Sequence, residues 1–238
     1  ARNYGFKMSQ GEYVNWFDSD DLMVAEKLSL QLNSLEGVKC NFSLCQTMNF
    51  RNDLTDLYGL RPIYDKADDP FEKYLREEFV VFTPSALWKK RFIDENNHKF
   101  EETLRASQEW EFYCRIFFKE KQFTFIKKPL VYIRSHKKRI SSKDPDSKFW
   151  NYFLARHLVY KRFDGQLTRV SKQYLVNYFL AVYKTLFRRR SLKKAFNIFI
   201  VVFNLKGFGN KQRIFLTLSF FSFLCFKRGD FLIKKITR

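Results

Sequence analysis

Three carboxylates crowd one five-residue stretch, Phe17-Asp18-Ser19-Asp20-Asp21. The segment before it, Gly11 to Phe17 (GEYVNWF), is aromatic and β-branched and reads as a strand buried on both faces. Successive strand side chains point to opposite faces, so Asp18 and Asp20 share one, just past the strand's C-terminal end. In open α/β sheets ligands bind at that edge. Two carboxylates converging there can hold a divalent cation, Mg²⁺ or Mn²⁺, which takes its other ligands from water and substrate phosphates. Such an ion neutralises the charge of a diphosphate leaving group. The same acids also suit the N-cap of a following helix. The residues by themselves leave both readings open.

The elements that must position these acids follow from periodicity. Asp21–Asn33 reads as a helix and Val38–Phe50 (VKCNFSLCQTMNF) as a strand. Residues 51–75 read as a long loop with room for a short helix, Glu78–Thr83 (EFVVFT) as a strand, and Ser85–Ile93 as a short helix. Ser107 is a candidate N-cap for a helix reaching about Lys121. In it Trp110, Tyr113, Cys114 and Phe117 fall at i, i+3, i+4 and i+7, the mark of one buried face. Two short strands, Phe123–Ile126 and Leu130–Arg134, flank Lys127-Lys128-Pro129. This alternation predicts an α/β domain. Beyond about Lys143 the pattern turns helical, over 146–163, 171–190, 191–205 and 212–226. Cys40 and Cys45 have no second Cys/His pair to complete a zinc site and read as strand residues. Neither His98 nor His157 belongs to a cluster. No GxSxG, Walker-type or GxGxxG motif occurs.

Two blocks carry a family resemblance. The first is Ala1-Arg2-Asn3-Tyr4-Gly5, then Gly11-Glu12-Tyr13, then Phe17-Asp18-Ser19-Asp20-Asp21. The second is Phe100-Glu101-Glu102-Thr103-Leu104, then Gln108-Glu109-Trp110-Glu111-Phe112, Arg115, Pro129-Leu130-Val131-Tyr132, Arg134, His136 and Ser141. Together they resemble family 2 glycosyltransferases of the GT-A type, over about residues 1–142. Residues 143–238 then form a basic, aromatic-rich helical region. The resemblance implies a Rossmann-like GT-A domain that transfers a sugar from a nucleotide-sugar donor to a glycan or lipid-linked acceptor, inverting by single displacement. The family's first strand and helix belong before Ala1, so the expectation is a chain that begins partway through a longer protein, its domain N-terminally truncated. Where the family has Asp before the tryptophan, this chain has Glu109, one methylene longer.

Carried over by motif, Asp20 is the expected metal ligand, and Asp18 contacts the nucleotide's sugar or the metal shell. Asp21 is either a nucleotide-side residue or a helix cap. Glu109 is the expected general base, taking the acceptor hydroxyl's proton; the alternative is a plain first-turn acid. His136 is a metal ligand, a diphosphate contact or a surface histidine. Arg134 suits a diphosphate through its forked guanidinium, whereas Arg139 reads as a solvated charge. Arg2 and Asn3 line the nucleotide side, and Trp110 faces the acceptor.

The charge is unevenly spread. The chain's formal net charge is +19, yet residues 1–100 are net −3, 101–150 net +5 and 151–238 net +17. The helical tail therefore carries the excess, and it suggests an anionic partner. Ile214–Phe226 (IFLTLSFFSFLCF) is 13 residues long, short of the ~20 that a spanning helix needs. Lys/Arg flanks beside Phe, Leu and Ile favour an anionic membrane surface. A bundle with a basic outer face is the competing reading. Nucleic acid is disfavoured for want of a recognition motif. Taken with the family resemblance, which implies the cytoplasmic face of the plasma membrane, these features suggest a peripheral protein. They resemble those of bacterial enzymes of lipooligosaccharide, lipopolysaccharide or capsule assembly. A non-catalytic membrane-bound remnant is the alternative from another class.

Overall fold

The computed structural model describes residues 1–61, 69–135 and 144–236. His136, Arg139 and Ser141 lie outside that range. The chain divides into two compact units, Ala1–Ile140 and Ser141–Arg238.

The first unit is built on a mixed six-stranded sheet. Its centre is β3 (Phe42–Phe50), in which every residue but Met48 is buried. On one side β3 pairs in parallel with β6 (Thr124–Arg134). On the other it pairs antiparallel with β5 (Ala86–Lys89) and, at its far end, with β4 (Leu57–Tyr58). β1 (Tyr13–Val14) adds to β5, and β2 (Leu22–Met23) to β6, both antiparallel. The strand expected to be buried on both faces, Gly11–Phe17, is only the two-residue edge strand β1, with Tyr13 half-buried; the strand buried on both faces is β3, whose polar Ser43, Gln46, Thr47 and Asn49 are buried with its apolar residues.

Each face carries a helix. One is covered by α5 (Gln108–Lys119), whose Trp110, Tyr113, Cys114 and Phe117 are all buried, as the spacing predicts. Its Phe112 and Phe117 join Phe42, Trp88, Phe92 and Phe123 in a chain of ring contacts, the closest being Phe42–Trp88 at 4.4 Å between centroids. Such pairs add about 0.5–1.5 kcal/mol each beyond the area they bury. His98 sits in this core against Phe92, and burial holds its imidazole down at a pKa of about 4, so it is a neutral packing residue.

The opposite face is covered by α2 (Lys27–Leu35). Gln31 is wholly buried and donates to the carbonyls of Ser43 and Ser85, both at 2.9 Å. Lys27 is also wholly buried, and its Nζ has no hydrogen-bond partner among the described residues. Burial lowers its pKa from 10.5 to about 8, with the nearby Cys45 thiol pulling weakly the other way. The unfolded chain therefore binds more protons than the folded one between those values, and stability attributable to Lys27 rises with pH across that window. Lys27→Met should raise stability at neutral pH by about 1–3 kcal/mol. It should also remove the rise between pH 8 and 10.5. Urea unfolding of both forms at several pH values checks this, and a gap that does not narrow with pH would sink it.

Several expected boundaries move. The helix expected at Asp21 begins at Lys27, because the chain first forms β2 on the edge of β6. Residues 78–83 form no strand. Phe79 and Val81 are buried and Val80 is exposed, so the alternation is real, but no neighbour supplies a ladder. The strand lies instead at Ala86–Lys89, within the expected Ser85–Ile93 helix, and α4 (Lys90–Glu95) follows it. The two expected strands around Lys127-Lys128-Pro129 are one strand, β6, with a register irregularity opposite Cys45–Thr47. That irregularity admits Pro129 into the middle of the sheet, as a bulge can. Ser107 precedes α5 with φ 64° and makes no side-chain cap.

The second unit is helical: α6 (Pro145–Phe163), α7 (Arg169–Arg188), α8 (Leu192–Phe203), α9 (Asn210–Phe226) and α10 (Asp230–Ile236). The first four match the expected helices closely, while α10 was not anticipated. Phe153 meets Phe179 across α6 and α7 at 5.2 Å, and Phe187 stacks on Phe223 across α7 and α9 at 5.2 Å. Asp146 accepts hydrogen bonds from Arg189 and Ser191, which brings the start of α6 to the end of α7.

Candidate active site

The acidic stretch lies between β1 and β2, at the end of the sheet where the parallel strands β3 and β6 finish. The amide of Asp21 donates to the carbonyl of Asp18 at 3.2 Å, which closes Asp18–Asp21 into a turn. The Asp21 carboxylate accepts the main-chain N–H of Arg134 at 2.9 Å. The Arg134 guanidinium donates to the carbonyls of Asp20 (3.1 Å) and Asn52 (3.3 Å) and lies 4.5 Å from the Phe50 ring. The turn is thereby fastened to the last residues of β3 and β6.

This geometry removes one of the two readings of the acids, the helix cap. The N-cap of α2 is Glu26, well past Asp21. Asp18, Asp20 and Asp21 therefore cap no helix. Asp21 has a structural task, holding the turn to β6. Asp18 and Asp20 are solvent-exposed at the tip.

Arg2, on α1 (Arg2–Met8), ties this tip to α5. Its guanidinium is 3.9 Å from the Asp18 carboxylate and 3.7 Å from that of Glu109. It also sits over the Phe100 ring at 5.2 Å, and its carbonyl accepts from Trp16 Nε1 at 3.2 Å. Asp18 is 54 % exposed and Glu109 41 %, so both face solvent across one arginine.

Asn3 has a bracing task in the fold. Its side-chain NH₂ donates to the Phe100 carbonyl and to Glu102, both at 2.9 Å, and its carbonyl accepts the Phe100 amide at 2.8 Å. It braces the segment that leads into α5. Glu111 is buried and takes Arg115 in two hydrogen bonds, at 2.8 and 3.0 Å. Arg115 also donates to the carbonyl of Lys99. Trp110 is 6 % exposed and packs inward, so it offers an acceptor little surface.

Local sequence gave no warning of these braces, because Asn3–Phe100 and Arg2–Glu109 join residues about a hundred positions apart. Their one signal was that the ARN and FEE blocks both belong to the resemblance.

The donor chemistry fits a hard cation: exposed carboxylate oxygens on a pre-formed turn. Among the described residues no group of three or more His, Cys, Asp or Glu is arranged to hold a metal. An ion here would have one or two protein ligands and complete its shell from phosphate and water, as Mg²⁺ commonly does. A separate cleft of about 500 Å³, lined by Glu12, Tyr13, Lys89, Lys90, Arg91 and Asp94 among others, opens beside β1 and β5. None of the expected site residues lines it.

A mixed α/β unit with an acidic turn at its strand ends, facing a helix-borne glutamate, is the arrangement of a GT-A-like glycosyltransferase domain. Comparison with solved structures agrees on the fold. S. aureus TarS 1-349 in complex with UDP aligns over 97 % of this chain and 61 % of its own, at TM-score 0.52 and 16 % identity. The same protein in complex with UDP-GlcNAc aligns over 99 % of this chain and 68 % of its own, at TM-score 0.52 and 13 % identity. The family model of glycosyl transferase family 2 matches residues 1–150, and the chain belongs to that family. Similar sequences include an uncharacterized glycosyltransferase of Rickettsia typhi, 24 % identical over 230 residues, or 88 % of this chain. Another is an uncharacterized glycosyltransferase of Methanocaldococcus jannaschii, 24 % identical over 182 residues, or 75 % of this chain. The chain spans 66 % and 52 % of the lengths of these relatives.

Proposed function

We propose that this protein moves a sugar from a nucleotide-sugar donor to a hydroxyl of a glycan or lipid-linked acceptor, with inversion at the anomeric carbon. The observation that carries the reading is Arg2 between Asp18 and Glu109: the diphosphate end and the proton-accepting end of such a reaction lie within one guanidinium's reach. Glu109 takes the proton of the acceptor hydroxyl as that oxygen bonds to the anomeric carbon. The bond from that carbon to the diphosphate oxygen breaks, and the nucleoside diphosphate leaves with the electron pair.

Asp20 and Asp18 are the residues that would hold Mg²⁺ or Mn²⁺; when bound, the ion supplies charge neutralisation for the departing diphosphate. Arg2 orients the Asp18 and Glu109 carboxylates toward each other. Arg134, Asp21 and Asn3 act from behind, holding the turn and the α5 approach in place. His136 remains a proposed further ligand or diphosphate contact. Trp110 backs the helix that presents Glu109.

We place the acceptor among bacterial surface glycans such as lipooligosaccharide, lipopolysaccharide or capsule, and the protein on an anionic membrane surface at the cytoplasmic face. The charge of residues 151–238, +17, supports a surface attachment. Among the described residues no helix is long and apolar enough to cross a membrane. The test is release of nucleoside diphosphate by the intact protein from a panel of UDP-sugars with Mn²⁺ or Mg²⁺, with and without a lipid-linked glycan acceptor. Acceptor-stimulated release is the expected result. Tight UDP binding with no turnover for any donor would replace the enzyme by a non-catalytic remnant.

A further inference from the structure

The helical unit leaves an apolar surface uncovered. On α9, Ile214, Leu218, Phe221 and Cys225 fall at i, i+4, i+7 and i+11, one face of a helix, and all are exposed. The buried residues of α9, Leu216, Ser219 and Phe223, lie on the opposite side. On α8, Phe196 and Ile200 are likewise exposed, away from the buried Ala195, Ile198 and Val202. The two helices are joined by a seam of rings beside these rows, where Phe220, next to Phe221 at 5.8 Å, touches Phe196 at 5.6 Å and Phe199 at 4.9 Å. A water-exposed apolar surface of this extent marks an interaction site.

Charge identifies the occupant. Lys193 and Lys194 stand at the start of α8, Lys211 at the start of α9, and Lys227 and Arg228 just past its end. The unit's four acids are engaged elsewhere or outnumbered: Asp144 caps α6, Asp146 pairs with Arg189 and lies near Lys194, Asp164 pairs with Lys172, and Asp230 pairs with Lys184 and Arg188. A second copy of so cationic a surface would repel the first. An anionic lipid headgroup layer complements the charged ends, and its acyl boundary complements the rings between them.

We propose that the exposed row of the α8–α9 pair inserts into an anionic bilayer surface, with both helices lying in its plane. This rests on the membrane reading above and adds the face that enters. Basic charge draws the unit to the surface; the Phe, Leu and Ile row holds it there.

The experiment uses the intact protein and vesicles of phosphatidylglycerol mixed with phosphatidylcholine, or of phosphatidylcholine by itself. Phe196→Asn, Leu218→Asn and Phe221→Asn are combined, which leaves the charge unchanged. Val170→Asn on α7, also exposed, serves as control. Expected are flotation of the native protein with anionic vesicles, partitioning at least about tenfold weaker for the triple variant, and an unchanged control. An NBD fluorophore on Cys225, in a Cys40→Ser background, should shift to the blue on binding and become shielded from iodide.

Equal partitioning of native and triple forms, lost in high salt, would leave the membrane reading standing and overturn insertion. No flotation of either form would overturn both. Self-association of the native protein that the triple variant abolishes, with no lipid binding, would assign the row to a second copy. Circular dichroism of the triple variant separates a lost face from a lost fold.

Discussion

Glu109→Gln should lower transfer by the intact protein about 10²–10⁴-fold, the span a positioned general base contributes. Donor KM should hardly move. The substitution is nearly isosteric, and the amide oxygen can still face Arg2, whose guanidinium lies 3.7 Å from the native carboxylate. What Gln cannot do is accept a proton. If Glu109 merely favours the positive end of α5, its loss costs only about 0.3–1 kcal/mol of stability. Turnover would then survive. Steady-state kinetics beside thermal melting separates the two: an active but slightly less stable variant would defeat the base assignment. Glu111, two residues on, is the internal contrast. It is buried and bonded to Arg115, so Glu111→Gln should destabilise the fold in a way that Glu109→Gln does not.

The second large effect belongs to the acidic turn. Asp20→Ala should cost roughly 10²–10³-fold in turnover, the several kcal/mol that a leaving-group cation supplies, and should raise the Mn²⁺ concentration needed for half-activity. Alanine keeps the main-chain carbonyl of residue 20 that accepts from Arg134, so the turn's tie to β6 stays in place. Asp21→Ala is the opposite case. It removes the acceptor of the Arg134 amide and frees the turn from β6, for a loss of about 1–3 kcal/mol. Full activity of the Asp20 variant, or an unaltered metal requirement, would remove Asp20 from the donor site.

The contrast between these two aspartates shows what the sequence could and could not disclose. The spacing of Asp18 and Asp20 pointed to an acidic turn at a strand end, and the turn lies where β3 and β6 finish. The same reading left a helix cap equally open, since nothing local says that β2 intervenes before α2. That strand exists because Leu22 and Met23 pair with Tyr132 and Val131, more than a hundred residues away. The α5 helix was legible because its buried face is written in its own periodicity. Residues 78–93 were not, because β5 is a strand through pairing with β1 and β3, and a nonlocal ladder overrode a locally helical pattern. Ser107 failed differently: the residue type was right for a cap, but its left-handed backbone makes no side-chain cap bond. Asn3's braces to Phe100 and Glu102 lie equally beyond local sequence.

The short turn from Asp18 to Asp21 is closed by its own backbone bond and riveted at Asp21 to β6. Ligand capture by such a loop requires little ordering at the moment of encounter, because folding has already met that entropy. On the proposed function, a preset claw of this kind would take cation and diphosphate without a loop-ordering step. The slow step of a catalytic cycle built on it would then lie elsewhere, in the chemistry or in the departure of the glycosylated acceptor.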